Sequence, residues 1–253
     1  MPDIIADTTD GSLRKFVFGS TTWADARDAS TANSVRATDT NGDPFAVTAE
    51  ISTARGGVVA CFRYFLAFDT SGVTGTVSSA TITLTSDVIS PAYSIGDIIL
   101  VKASKPDLST NIAAADFDAI PGFSAGNTMS GNVTDYSAEF TSYSNTDGAT
   151  NVITLNSNAL SDISNLSVFA VAVVNFDHDY SNSAPSTGTR LANGIYFADT
   201  TTNTAYKPKL TYTLAPAAPS EIAKINAIAI ASVDKIDGTA KANYSKVLGI
   251  DLP

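Results

Sequence analysis

Asp39, Asn41 and Asp43 alternate in the stretch DTNGDPF, and Glu50 falls at the twelfth place counted from Asp39. Alternating oxygen donors closed by a glutamate are the ligand set of a calcium loop. Such a loop wants glycine at its sixth place, where Pro44 stands, and its closing glutamate belongs in a helix, whereas FAVTAEI alternates as a strand does. An Asn-Gly turn between two strands explains the same letters, and that is the reading adopted. The second constellation is Asp177, His178 and Asp179 in NFDHDYSNSAP. One histidine and one cysteine in the whole chain cannot complete a zinc site. A solvated loop is the expected state here, with a calcium ion shared by Asp177 and Asp179 as the alternative.

The remaining candidates are weaker. Asp116, Asp118, Asp135 and Glu139 lie at loops or helix edges without a partner pattern, and a polar surface accounts for them. There is no Gly-x-Ser-x-Gly and no phosphate-cradling glycine loop, and any Ser–His–Asp triad would rest on His178 alone. Trp23 offers a ring for stacking on a sugar, but a core position near the first strand is the better reading. Cys61, inside VVACFRYFLAF, reads as a small buried apolar side chain rather than a nucleophile. The chain is therefore expected to be no enzyme, with no catalytic residue, no metal and no cofactor.

The elements that would carry these residues are mostly strands. RKFVFG, PFAVTAEI, VVACFRYFLAFD, TVSSATITLTS, IGDIILVKAS, NVITLN, LSVFAVAVVN, GIYFAD and PKLTYTL are strand-like, with turn residues between them. Ile82 and Leu84 share one face while Thr81, Thr83 and Thr85 share the other, the alternation of a half-buried antiparallel strand. Tyr64, Leu66 and Phe68 oppose Arg63, Phe65 and Ala67, so that strand is apolar on both faces and belongs at the centre of a sheet. Two short helices are expected, in STNIAAADFDAI after a cap at Ser109 or Thr110, and in NSNALSDISNL after Asn156 or Ser157. Many short strands without a βαβ rhythm predict an all-β fold, a jelly-roll β-sandwich over residues 1–214. APAAP at 215–219 reads as an extended linker, and residues 220–253 as a C-terminal arm of short strands or helix.

Charge narrows the partners. Of 15 Lys and Arg and 25 Asp and Glu, four of each lie in the tail, so the body carries the whole net charge of −10. That surface repels a phosphate backbone, and nucleic acid is not an expected partner. No segment approaches bilayer-spanning length, so no membrane partner is expected either. MPDIIADTTDGSLRKF lacks the basic and apolar regions of a Sec signal. An exterior-type β-protein without a visible export signal fits a particle component made in a host cytoplasm. A signal removed from the sequence, or a leaderless route, fits as well.

The tail repeats every eleven residues. Ile222, Val233 and Tyr244 open the copies, Lys224, Lys235 and Lys246 follow in register, and Ile225, Ile236 and Val247 come next. An eleven-residue period suits a right-handed helical supercoil, and SEIAKINAIAIASV capped by Ser220 keeps the helix open. β-Branched residues, with Gly238 and Gly249, favour short strands broken at Asn-Ala, Asp-Gly and Leu-Gly instead. About 38 residues without a disulfide cannot enclose a core. Burial is nonetheless worth roughly 1.5–3 kcal/mol for each large aliphatic side chain. Ile222, Ile225, Ile228, Ile230, Val233, Ile236, Val247, Leu248, Ile250 and Leu252 are therefore expected to pack on the body or on another subunit.

Two resemblances add to this. ADARDASTANSV, RYFLAFDTSGVTGTVSSATITLTS and YKPKLTYTL together resemble the DNRLRE-type jelly-roll modules of bacterial surface and carbohydrate-associated proteins. The likeness spans roughly the first 215 residues, is specific only in the central block, and implies a fold rather than a site. The tandem units resemble the tails on structural proteins of tailed bacteriophages, although Thr239 and Lys241 replace Ile228 and Ile230 in the second copy. That resemblance implies a virion structural protein, assembled in the host cytoplasm, whose arm contacts other virion proteins or makes a homo-oligomer. Capsid decoration is the leading expectation. A tail-associated knob or fibre, or a carbohydrate-binding module that holds a surface glycan, is the alternative.

Overall fold

VVACFRYFLAFD, apolar on both faces, becomes the longest strand, β5 (Val58–Asp69). In the computed structural model, residues 1–20, 22–37, 42–53 and 56–216 are described in full, along with the backbone of four two-residue strands further on. The chain divides into two units, Met1–Leu214 and Ala215–Pro253.

Within the first unit β5 organises the larger sheet. β2 (Gly11–Phe18) runs along one edge of it, from Gly11 opposite Phe65 to Phe18 opposite Val58. The other edge is shared: β4 (Asp43–Ser52) pairs with Val58–Phe62, and β9 (Val168–Asn175) pairs with Tyr64–Asp69. β3 (Ser34–Arg36) extends the sheet beyond β2, β10 (Arg190–Ile195) beyond β4, and β7 (Ile98–Lys102) beyond β9. A second sheet has the order β1 (Asp3–Ile5), β11 (Lys209–Leu214), β6 (Val77–Thr85) and β8 (Thr150–Thr154). Every named strand pair is antiparallel.

Both faces of β5 are covered, as its composition requires. Tyr64, Leu66 and Phe68 join Ile82, Leu84, Phe169, Val171 and Leu210 in a core contributed by both sheets. Val59, Cys61 and Phe65 face a second core with Trp23, Ile112, Phe117, Ile120 and Met129. The all-β sandwich is thus the architecture, with its larger sheet as a middle layer. In β6 the alternation holds for Ile82 and Leu84, which are fully buried, and for half-exposed Thr81 and Thr83. Thr85 departs from it. That residue is buried at the strand end, where its carbonyl accepts from Tyr196 N–H at 2.9 Å.

The helix expected in NSNALSDISNL is α2 (Ser157–Asn165), and its cap is Asn156, whose Oδ1 accepts from the backbone N–H of Asn158 and Ala159. The helix expected at 109–120 does not form; a single 3₁₀ turn, Ala114–Asp116, stands there. The chain has other partners for its donors: Asp107 Oδ1 accepts from Ser109 and Thr110 N–H, and Ile112 N–H reaches Thr9 O at 3.2 Å. Ile112, Phe117 and Ile120 then plug the second core from a loop. One turn of helix, α1 (Ala24–Arg27), and the short strands β1 and β3 carry too few residues for periodicity to find. The strand expected at GIYFAD lies earlier, ending at Ile195 after a bulge at Gly194. A Cβ at Gly194 would stand 2.1 Å from the Asp87 carbonyl oxygen, so only glycine admits that approach.

In the second unit the backbone forms two antiparallel pairs, β12 (Lys235–Ile236) with β13 (Thr239–Ala240), and β14 (Lys246–Val247) with β15 (Ile250–Asp251). Of the two conformations open for the arm, these segments are strand.

Candidate functional site

Asp97, Glu139 and Asp177 come together at one end of the larger sheet. Their nearest carboxylate oxygens lie within 4.8 Å of one another, and this is the one group of three potential metal ligands among the described residues. Asp97 sits just before β7, where its carbonyl accepts from Phe176 N–H at 2.8 Å and from Asn175 Nδ2 at 3.2 Å. Glu139 is brought in because the neighbouring Phe140 exchanges two backbone hydrogen bonds with Ile98. Asp177 rides on the turn Phe176–Tyr180, which Asn175 starts by accepting from His178 N–H. Partial burial, then the charge of Asp177, pushes the Asp97 carboxyl up; burial, then Asp97 and Asp177, does the same for Glu139. Three carboxylates at this spacing are oxygen donors suited to a hard divalent cation, or a locus of mutual repulsion without one.

The solvated loop expected at 177–179 holds for exposed Asp177 but not for Asp179, which is buried. Asp177 and Asp179 cannot share an ion, because the turn sends them to different surroundings. Asp179 is buried and meets Arg63 through two hydrogen bonds, Nε to Oδ2 at 2.7 Å and Nη2 to Oδ1 at 2.8 Å. Its carbonyl also accepts from Arg27 Nε at 2.9 Å. Arg27 and Arg63 are both fully buried, and each lies over the ring of Phe123, at 5.1 and 4.5 Å. Arg63 Nη1 donates to Phe117 O, which fastens the 103–133 loop to the sheet. This cluster ties distant segments together inside the fold: Asp179 matches the Arg63 guanidinium, and Asp28 Oδ1 accepts from Arg27 Nη1 at 2.6 Å.

The other candidates resolve one by one. In the calcium-like stretch, Asp39 and Asn41 lie outside the described residues. Asp43 is buried against Arg14, and Glu50, near the end of β4, is held by Arg190 Nε at 3.0 Å and Tyr93 Oη at 2.7 Å. Neither carboxylate is placed to close a calcium loop. Asp116 caps the 3₁₀ turn by accepting from Ala113 N–H, and Asp135 accepts from Tyr180 Oη at 2.9 Å. Trp23 is 4% exposed and meets the His178 ring edge-on at 6.4 Å, so it is a core residue and no sugar platform. Cys61 is buried, and burial, then the charge of Asp179, pushes its thiol far up, away from nucleophilic use.

Sequence reasoning passed over an aromatic patch on the larger sheet. Phe16 lies between Phe18 and Phe62, with ring centroids 5.4 and 6.4 Å away, and Phe18 is 54% exposed. Arg14 stands 5.3 Å over the Phe62 ring. The signal was there in RKFVF, where alternation puts Phe16 and Phe18 on one face.

The arm residues named as partner contacts take their places differently. The backbones of Ile236, Val247 and Ile250 lie in the short strands, while Ile222, Ile225, Ile228, Ile230, Val233, Leu248 and Leu252 lie outside the described residues. No protein-family model matches the chain, and no curated protein matches it.

Proposed function

We propose that this protein is a non-enzymatic structural component of a tailed-phage virion. A jelly-roll body sits at the particle surface, and the arm from Ser220 to Pro253 attaches or oligomerises it. Capsid decoration is the favoured position. The observation that carries this reading is the arm itself: three tandem copies of an apolar eleven-residue unit in a chain whose body already has its own two cores. A segment of that length is too short to enclose a core, so burying its aliphatic side chains calls for a further surface, which this reading assigns to a neighbouring subunit. The acidic body suits a surface role, since a net charge of −10 keeps copies apart except where the neutral arm engages. Deleting residues 220–253 tests the reading. Particles assembled with the truncated protein, viewed by electron microscopy, should lose its density; full occupancy would refute attachment through the arm.

A second reading, a module that binds a surface glycan, draws on the Phe16–Phe18–Phe62 patch, in which Phe18 is exposed and Phe16 and Phe62 are half-buried. Aromatic faces bind sugars when they lie flat and open, and these rings meet edge-on. Binding on a glycan array that is lost on Phe18→Ala would favour this reading; silence of the array would remove it.

A further inference from the structure

Asp10, fully buried just before β2, fastens three segments together. Its Oδ2 accepts from Tyr64 Oη on β5 and from the Ala198 N–H, 3.0 Å away, in the connection between β10 and β11. A second contact doubles the clasp: the Phe197 ring stacks on the Tyr64 ring, with centroids 5.1 Å apart and planes 11° from parallel. Phe197 and Ala198 are fully buried, whereas residues 201–205 of the same connection are exposed. The buried start of the connection thus leans on the Asp10–Tyr64 pair. Asp10 Oδ1, by contrast, is enclosed and receives no hydrogen bond. The charges that face this carboxyl are negative: Asp199 from the connection and Asp7 from the turn before β2. The other titratable neighbours are phenols, Tyr64 itself and, beyond it, Tyr143 from the loop before β8. Among the described residues no Lys or Arg forms a salt bridge with Asp10.

A buried carboxylate with one oxygen unserved and two like charges beside it calls for a positive charge. The smallest is a proton. Among the described residues, the one group of carboxylates close enough to share a metal ion lies elsewhere, at Asp97, Glu139 and Asp177. We propose that Asp10 is a proton-operated latch: protonated, it holds the stretch Phe197–Thr200 shut against β5, and on ionisation that stretch opens locally so that water reaches the carboxylate. Burial pushes the Asp10 carboxyl up to about 7; the Tyr64 and Ala198 donors oppose the rise, and Asp199 and Asp7 add to it. In the open stretch the carboxyl is solvated and returns towards 3.8. The closed state therefore holds the proton more tightly than the open one. Closure is strongest below that lower value, weakens by about tenfold per pH unit up to about 7, and levels off above. The latch is independent of the arm's role. It lies on the connection into β11, the last strand of the first unit.

Amide hydrogen exchange of the full-length chain between pH 5 and pH 8, corrected for the intrinsic effect of pH on exchange, is the test. The Ala198 and Thr200 amides should open about a hundredfold more often at pH 7 than at pH 5 and change little from there to pH 8. The amides of central β5 should stay slower than these at every pH. Asp10→Asn, which keeps an uncharged side chain of the same shape, should flatten the profile. Tyr64→Phe keeps the ring on Phe197 and removes one donor to the carboxylate, so its rise should continue beyond pH 7. A flat profile for the unaltered chain overturns the proposal, and so does a Tyr64→Phe profile that levels off where the unaltered chain does. Exchange of the β5 amides in step with Ala198 would mean global rather than local opening, and would overturn it too. If added calcium closed the stretch and erased the pH profile, and EDTA reversed both, a metal ion would stand in the proton's place and the latch would fall.

Discussion

Arg63 and Asp179, 116 residues apart, form a two-pronged ion pair inside the sandwich, with both side chains at most 1% exposed. It ties β5 to the turn after β9, and through Arg63 Nη2 to the Arg27 carbonyl at 3.0 Å it reaches α1 as well. Burial works against the guanidinium's charge, but the charge and hydrogen bonds of Asp179, with Cys61 and Asp118 adding to them, outweigh it, so the Arg63 pKa ends above its ordinary value.

Removing one partner of such a pair leaves an uncompensated buried charge. Asp179→Ala is expected to destabilise the body by about 3–5 kcal/mol. The double change Arg63→Met with Asp179→Leu should cost less, because the Arg63 charge goes with its partner and the remaining buried guanidinium, Arg27, keeps Asp28 at 2.6 Å. Urea denaturation of the three proteins checks this, and equal losses would contradict the account.

Asp10 supplies a pH dependence. Fully buried, it accepts from Tyr64 Oη and from Ala198 N–H with one oxygen, and no hydrogen bond reaches the other. Burial pushes its carboxyl up to about 7 from an ordinary 3.8, against the lowering effect of those two donors, and the charges of Asp199 and Asp7 add to the rise. The folded state thus holds this proton more tightly than the unfolded chain. The associated stability is fully present below about pH 3.8 and is lost as pH rises towards about 7. A decline on the order of 2–4 kcal/mol is expected across that window. In Asp10→Asn the decline should flatten, which thermal melts at pH 5 and pH 8 would show.

At Asp97, Glu139 and Asp177 like charges crowd a partly solvated corner. Glu139→Gln should raise the melting temperature at neutral pH and low salt. The gain should shrink at high salt, where screening already weakens the repulsion. Melts at two ionic strengths decide it; an unchanged or lower melting temperature at low salt would mean that the corner is not repulsive.

Asn156 holds the start of α2 by accepting from two backbone N–H groups, and its Nδ2 donates to Asp135 O at 2.8 Å. Asn156→Ala should cost about 1 kcal/mol, and Asn156→Asp, which keeps the acceptor, should cost less. Chemical denaturation ranks the two.

Where the sequence was legible, the signal was local. Alternation in ATITLT, the doubly apolar run at 58–69 and the Asn156 cap each involve residues within one element, and each element forms as expected. STNIAAADFDAI misled because its helical spacing was real while its donors had better offers from distant groups, such as Thr9 O for Ile112 N–H. The acidic corner was illegible for the same reason. Its members come from positions 97, 139 and 177, and Glu139 alone looks like any surface acid.

By itself the sequence determined an all-β body with a strand apolar on both faces at its centre, an acidic surface, and a neutral tail of period eleven. It could do so because side-chain alternation, charge and repeat are properties of neighbours along the chain. Only the tertiary structure decided that Asp179 belongs to Arg63 rather than to Asp177, and that Trp23 is core. It also brought Asp97, Glu139 and Asp177 to one corner, and set the tail's strand pairs in one repeated register. Those outcomes depend on which distant groups the packed sheets bring within hydrogen-bonding reach, and no spacing along the chain encodes that directly.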